Sequence, residues 1–189
     1  MKKNYSYAIT ISLLMIFTSC SDNSSGPGDL GLNEGKGAVT VTGAINAEYE
    51  GEAWYTIDRS DDGTVFQIFV SDVEFSTDPQ ANDDISFVLE FRQDSGSDSF
   101  SISTGNFNVG ENTTFRGIFA DVSIVEARGV AYETLGNSGG SINITSVSSG
   151  LVDAEFEFSA TDPEDGGSVT VSGALRASCI GGQFNPNCS

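Results

Sequence analysis

From Val39 onward, apolar and polar side chains alternate with a period of two, and no stripe with the 3.6-residue period of a helix runs for ten or more residues. Val39, Val41, Ile45, Ala47 and Tyr49 alternate with Thr40, Thr42, Asn46 and Glu48; Ile85, Phe87, Leu89 and Phe91 alternate with Ser86, Glu90 and Arg92. Such segments present one dry and one wet face, the signature of half-buried antiparallel strands. The same period predicts further strands near Glu52–Asp58, Thr64–Ser71, Ser99–Ser103, Thr114–Ile124, Gly129–Thr134, Ser141–Val147, Leu151–Thr161 and Ser168–Ala177. Turn residues separate them: Asp61-Asp62-Gly63, Asp94-Ser95-Gly96, Gly136-Asn137-Ser138-Gly139 and Glu164-Asp165-Gly166-Gly167. About ten strands in this arrangement predict one all-β domain, an antiparallel β-sandwich or a flattened β-barrel.

One internal echo bears on how the sheet closes. Gly37–Ala47 and Gly167–Ala177 share the pattern G-[AS]-V-T-V-[ST]-G-A-[IL]-x-A. Strands draw on few residue types, so coincidence is one explanation; the other places the first and last strands side by side, with Gly43 and Gly173 at equivalent bends. No other repeat with a period of 20 to 50 residues is evident, which argues against solenoids and propellers.

Composition narrows the function classes. With 38% hydrophobic residues in 189, the chain can bury a substantial core. A formal charge of −19 repels phosphate backbones and anionic lipid surfaces, so no nucleic-acid partner is expected. The chain has no histidine, which removes Ser-His-Asp and Cys-His catalysis, zincin motifs and imidazole metal ligands.

The N-terminus reads as an address. Lys2 and Lys3 precede an apolar run from Ala8 to Phe17, too short for a bilayer core that needs roughly 20 residues, and then Phe17-Thr18-Ser19-Cys20. That tetrapeptide resembles a bacterial lipobox, whose cysteine is diacylated and becomes the first residue of the mature protein; Phe17 departs from the usual leucine. The resemblance implies a signal peptide over 1–19 and membrane attachment through lipid on Cys20, two acyl chains being enough for a stable anchor. Ser21 at the next position is similar to an outer-membrane sorting signal, which implies an outer-membrane lipoprotein on the periplasmic face or the cell surface. Residues 20–37, rich in Gly, Ser and Asn, are expected to be a flexible tether, residues 38–178 the all-β domain and 179–189 a closing loop. Loss of Lys2 and Lys3 moves the formal charge to −21 and leaves Lys36 as the only lysine.

The C-terminal third carries Gly140-Ser141-Ile142-Asn143-Ile144-Thr145, Phe156-Glu157-Phe158-Ser159-Ala160 and Val169-Thr170-Val171-Ser172-Gly173. This succession resembles a three-strand pattern of small bacterial lipoproteins with domains of unknown function. The resemblance implies the all-β fold and brings no catalytic residues with it.

With Cys20 given to lipid, Cys179 and Cys188 are the remaining cysteines, and Gly181, Gly182 and Pro186 let the loop between them double back. In an exported chain a disulfide is expected, with free thiols or an incomplete metal site as alternatives. Asp58-Arg59-Ser60-Asp61-Asp62-Gly63 imitates the start of an EF-hand loop, which makes Asp58 and Asp62 calcium candidates, but Phe69 stands where the bidentate Glu belongs. No cofactor other than such a calcium ion is suggested. Glu155 and Glu157 share a strand face about 6.7 Å apart, a separation compatible with an inverting glycosidase and equally with a solvated polar face that includes Asp153. Trp54 and Tyr55 are adjacent and therefore face opposite sides; they are the candidate ligand-facing rings, with Tyr49 and Tyr132 as further members of a glycan platform. Arg59, Arg92, Arg116, Arg128 and Arg176 are expected to neutralise carboxylates, unless some converge and mark an anionic ligand.

These features predict a monomeric, lipid-anchored, non-catalytic binding or structural module with an envelope or extracellular glycan or protein as partner. The alternatives are a carboxylate-dependent glycan hydrolase, with paired carboxylates in a pocket, and a small-ligand carrier, with an apolar cavity inside the barrel.

Overall fold

The structure, a computed structural model, describes residues 31–60, 63–72, 87–95, 101–121, 130–134, 139–148 and 150–180. Ten strands occur there: β1 (Lys36–Gly43), β2 (Ala47–Ser60), β3 (Gly63–Ser71), β4 (Phe87–Ser95), β5 (Gly105–Asn108), β6 (Arg116–Asp121), β7 (Val130–Glu133), β8 (Gly140–Ser148), β9 (Leu151–Thr161) and β10 (Ser168–Cys179). Eight of them close an antiparallel barrel in the ring order β1-β2-β3-β4-β6-β7-β9-β10 and back to β1. The other two extend the sheet: β8 pairs with β9 over Leu151–Phe158, and β5 pairs with β8. β7 joins β9 only at Glu133 opposite Thr161, beyond the stretch that β8 occupies.

The first and last strands are adjacent, and the echo explains how. Val39-Thr40-Val41-Thr42-Gly43 lies antiparallel to Val169-Thr170-Val171-Ser172-Gly173, with Val41 opposite Val171 and each glycine opposite a valine of the other copy. The two copies thus pair with each other about a local two-fold. The glycines are not equivalent bends, however. Gly43 ends β1 with φ +123°, a conformation side chains rarely adopt, whereas Gly173 stays within β10. There it admits a close approach, because a Cβ would lie 2.0 Å from the carbonyl oxygen of Ala38.

The inward positions are apolar and fill the barrel. Phe87, Leu89 and Phe91 on β4 and Val152, Ala154, Phe156, Phe158 and Ala160 on β9 alternate into the core, none more than 5% exposed. Their outward neighbours include Glu90, Arg92, Glu155 and Glu157. Apolar inside and charged outside is the reverse of a transmembrane barrel. No helix among the described residues is long and apolar enough to cross a membrane.

Several boundaries differ from expectation. The alternation over Val39–Tyr49 is two strands, β1 and β2, joined by a turn after Gly43. β1 begins at Lys36, so Lys36 and Gly37 belong to the barrel and not to the tether. In place of a strand over Ser99–Ser103, of which residues 101–103 are described and are not strand, β5 starts at Gly105. Cys20, Asp62, Arg128 and Cys188 lie outside the described residues.

Candidate ligand-binding face

The outer face of β2-β3-β4-β6-β7 carries two rows of side chains set by strand register. Trp54 lies opposite Phe69, Phe69 opposite Glu90, Glu90 opposite Ile118 and Ile118 opposite Glu133. Two residues along each strand, Thr56, Gln67, Arg92 and Arg116 form a parallel row. Successive strands lie about 4.8 Å apart and i, i+2 positions about 6.8 Å, so the rows make a continuous strip.

One end of the strip is aromatic. Trp54 and Phe69 are both partly exposed, with ring centroids 5.5 Å apart and planes 19° apart. The remainder is hydrogen-bonding surface. Gln67 Nε2 donates to Glu90 Oε1 at 2.8 Å, which holds that carboxylate in place beside Phe69. Arg92 Nε donates to Asp94 Oδ1 at 3.0 Å, and Arg116 Nη2 donates to the second oxygen of the same carboxylate. A concavity of about 410 Å³ continues the strip, bounded by Glu90, Arg92, Glu111, Arg116, Ile118, Glu133 and the backbone of Gly117. Thr134 also lines it, its hydroxyl accepting the Gly117 amide at 3.1 Å.

The other candidate residues fall elsewhere. Tyr55 points inward and is 4% exposed, with burial raising its phenol pKa. Tyr132 is buried as well, and Tyr49, partly buried, packs against the core on Phe87 with centroids 4.5 Å apart. The three tyrosines therefore cannot join Trp54 in an outer platform; Phe69 supplies its second ring. The β2-β3 hairpin register, with Ser60 opposite Gly63, places Phe69 there, a position the sequence reading missed and that counting back from the Asp61-Asp62-Gly63 turn signal could have found. Glu155 and Glu157 stand exposed on β9, opposite Asn143 and Ser141 of β8.

Asp153 is not part of a solvated face. It is 6% exposed, and Arg176, directly opposite on β10, brings its Nε to 3.5 Å from Asp153 Oδ1. This pair continues a transverse row in which Arg176 faces Lys36 and Lys36 forms an ion pair with Glu52. Charges of −, +, + and − thus cross four strands, which explains why Asp153 can be covered. Asp58 is exposed, and no group of three or more metal-ligating side chains gathers among the described residues. Cys179 ends β10 half-buried against the core, its amide donating to the carbonyl of Gly150 at 2.7 Å.

No family model, curated relative or solved structure matches the chain.

Proposed function

We propose that this chain is a lipid-anchored, non-catalytic binding module of the bacterial outer envelope that takes a saccharide chain on the outer strip from Trp54 to Glu133. The observation that carries this reading is the Trp54–Phe69 stack in direct register with Glu90. Two partly exposed rings beside a polar row offer what a pyranose needs: an apolar surface for its C–H face and donors and acceptors for its hydroxyls. Gln67, Glu90, Glu133 and the two arginines supply the latter.

The barrel interior favours this reading over a carrier, because core rings from different strands are in contact where a ligand would lie. The exposed outer face of β9 favours it over hydrolysis by Glu155 and Glu157, since a glycosidase acid is normally kept protonated by its surroundings. Anchored at Cys20, the 16-residue leash to Lys36 would reach at most about 55 Å from the membrane, far enough to present the strip to envelope or extracellular polysaccharide.

Trp54 is the only tryptophan, so its fluorescence reports on the strip alone. Titration of the mature domain with saccharides is expected to shift its emission and shield it from iodide, without release of reducing ends. Unaltered emission and quenching across neutral and acidic oligosaccharides would contradict the proposal, and release of reducing sugar would replace it with the hydrolase.

A further inference from the structure

We infer that the saccharide face does not end at Trp54: a further sugar subsite lies on the β10 side of the ring, at Ser178, and the face takes several linked units of a neutral chain. The inference rests on the saccharide reading above and adds to it a subsite and the class of its ligand.

The subsite arises where two strands meet late. β1 lies between β10 and β2 as far as Lys36, which faces Arg176 on one side and Glu52 on the other. Beyond Lys36, β10 and β2 pair directly and in parallel, Ser178 with Trp54 and Cys179 with Tyr55, and the Ile180 amide donates to the Tyr55 carbonyl at 3.1 Å. Gly35 ties the junction from both sides, its amide donating to the Arg176 carbonyl at 2.9 Å and its carbonyl accepting the Ala53 amide at 2.7 Å. A concavity of about 500 Å³ remains on the outside, bounded by Glu34, Gly35, Glu52, Trp54, Ser178 and Ile180. A Cβ on Gly35 would lie 3.4 Å from Ser178 Oγ and 3.9 Å from Glu52 Oε2, so the bare glycine helps to keep that space open.

The rings put this concavity and the strip into one site. Phe69 on β3 stacks on Trp54 from one side, and on the other side Trp54 borders the concavity, with Ser178 as its cross-strand partner. The stack is therefore the middle of the face and not its end. Ser178, Trp54, Phe69 and Glu90 are successive register partners, so the row covers three strand spacings, about 14 Å, more than one pyranose fills. A sugar on the β10 side meets the Ser178 hydroxyl and the Glu34 carboxylate, the next unit crosses the rings, and the one beyond reaches Glu90.

Charge sets the class of chain. Carboxylates stand on both sides of the stack, Glu34 and Glu52 before it and Glu90 after it, and Asp94 already engages both guanidinium groups of the face. An anionic chain is repelled along the whole row. Glu52 pairs with Lys36 and Glu90 accepts from Gln67, so what these carboxylates offer a ligand is their remaining lone pairs, which suit the hydroxyl hydrogens of a neutral sugar.

The test is calorimetry on the lipid-free mature protein with cellobiose, cellohexaose, the glucosamine hexamer and the cellouronic acid hexamer, which share one β-1,4-linked backbone and differ in length or charge. Wild type is expected to bind cellohexaose about tenfold more tightly than cellobiose, and more tightly than either charged hexamer. S178L, which fills the concavity from an outward strand position, is expected to lower the affinity for cellohexaose about tenfold with the circular dichroism unchanged. E34L narrows the same space from the exposed turn before β1, leaves every strand intact, and is expected to act in the same direction. Equal affinity for cellobiose and cellohexaose, or cellohexaose binding that survives both substitutions, overturns the further subsite and leaves the saccharide reading standing. Tighter binding of a charged hexamer overturns the neutral class. Absence of binding to all four, with Trp54 emission unchanged, overturns the saccharide reading as well.

Discussion

The ring of Phe91 on β4 meets the ring of Phe156 on β9 with centroids 5.0 Å apart and planes at 63°. Phe91 also lies 5.4 Å from Phe158. Strands β4 and β9 are not neighbours in the ring, so these contacts span the interior. Edge-to-face pairs of this kind add to the area they bury, so these contacts tie opposite walls of the core together.

Phe156→Ala is therefore expected to destabilise the domain by about 3–5 kcal/mol, measured by denaturant unfolding. The ring is 5% exposed, and its neighbours, Phe91 and the backbone near Gly173, are held by paired strands and cannot collapse onto the space. A loss below about 1 kcal/mol would mean that the two walls do not lean on each other.

Gly117 tests the same packing from β6. A Cβ there would lie 2.7 Å from the Phe158 ring, which is 1% exposed and has no room to retreat. Gly117→Ala is expected to cost about 1–3 kcal/mol, whereas Gly139→Ala, whose Cβ meets nothing within 4 Å, should stay within about 0.5 kcal/mol of wild type.

Much of this was legible in the residues. Leu151–Thr161 was expected and is β9, because strong alternation there is bounded by glycine and acidic turns. The turn between β1 and β2 was hidden for a physical reason. Val41 pairs with Ala47, so the loop between them keeps odd-numbered residues facing inward on both strands, and the alternation runs through the turn unbroken. Short β5, four residues long, has too few positions to show a period. The adjacent Trp54 and Tyr55 were known to face opposite ways, but which one faced outward depended on the phase of β2 against the core. The convergence of Arg92 and Arg116 depended on a β4-β6 register that no turn between them specifies.

Tyr55 gives the fold a dependence on alkaline pH. Burial raises its phenol pKa above the ordinary value of 10.0, so the folded protein favours the neutral form. The stability this contributes is fully present below the unfolded pKa and is lost as pH rises through the folded one. Unfolding free energies measured from pH 8 to 11 are expected to fall more steeply above about pH 10 in wild type than in Y55F. Parallel curves would remove Tyr55 as the cause.

Cys179 and Cys188 are proposed to close the chain after β10. Alkylation followed by mass spectrometry of the oxidised mature protein should label neither cysteine before reduction and both after it. A bridge of this loop length is expected to contribute about 2–3 kcal/mol, so that C188S unfolds earlier in denaturant. Two free thiols in the oxidised protein would end the proposal.

The most direct test of the account is to map backbone amide and Trp54 indole NMR shifts of the mature domain during titration with neutral and acidic oligosaccharides. The expected result is a contiguous set of shifts at Trp54, Phe69, Glu90, Arg92, Arg116 and Glu133, with the core rings and the outer face of β9 at Glu155 and Glu157 unmoved. Shifts concentrated on β9 or within the barrel, or none at saturating saccharide, would contradict it.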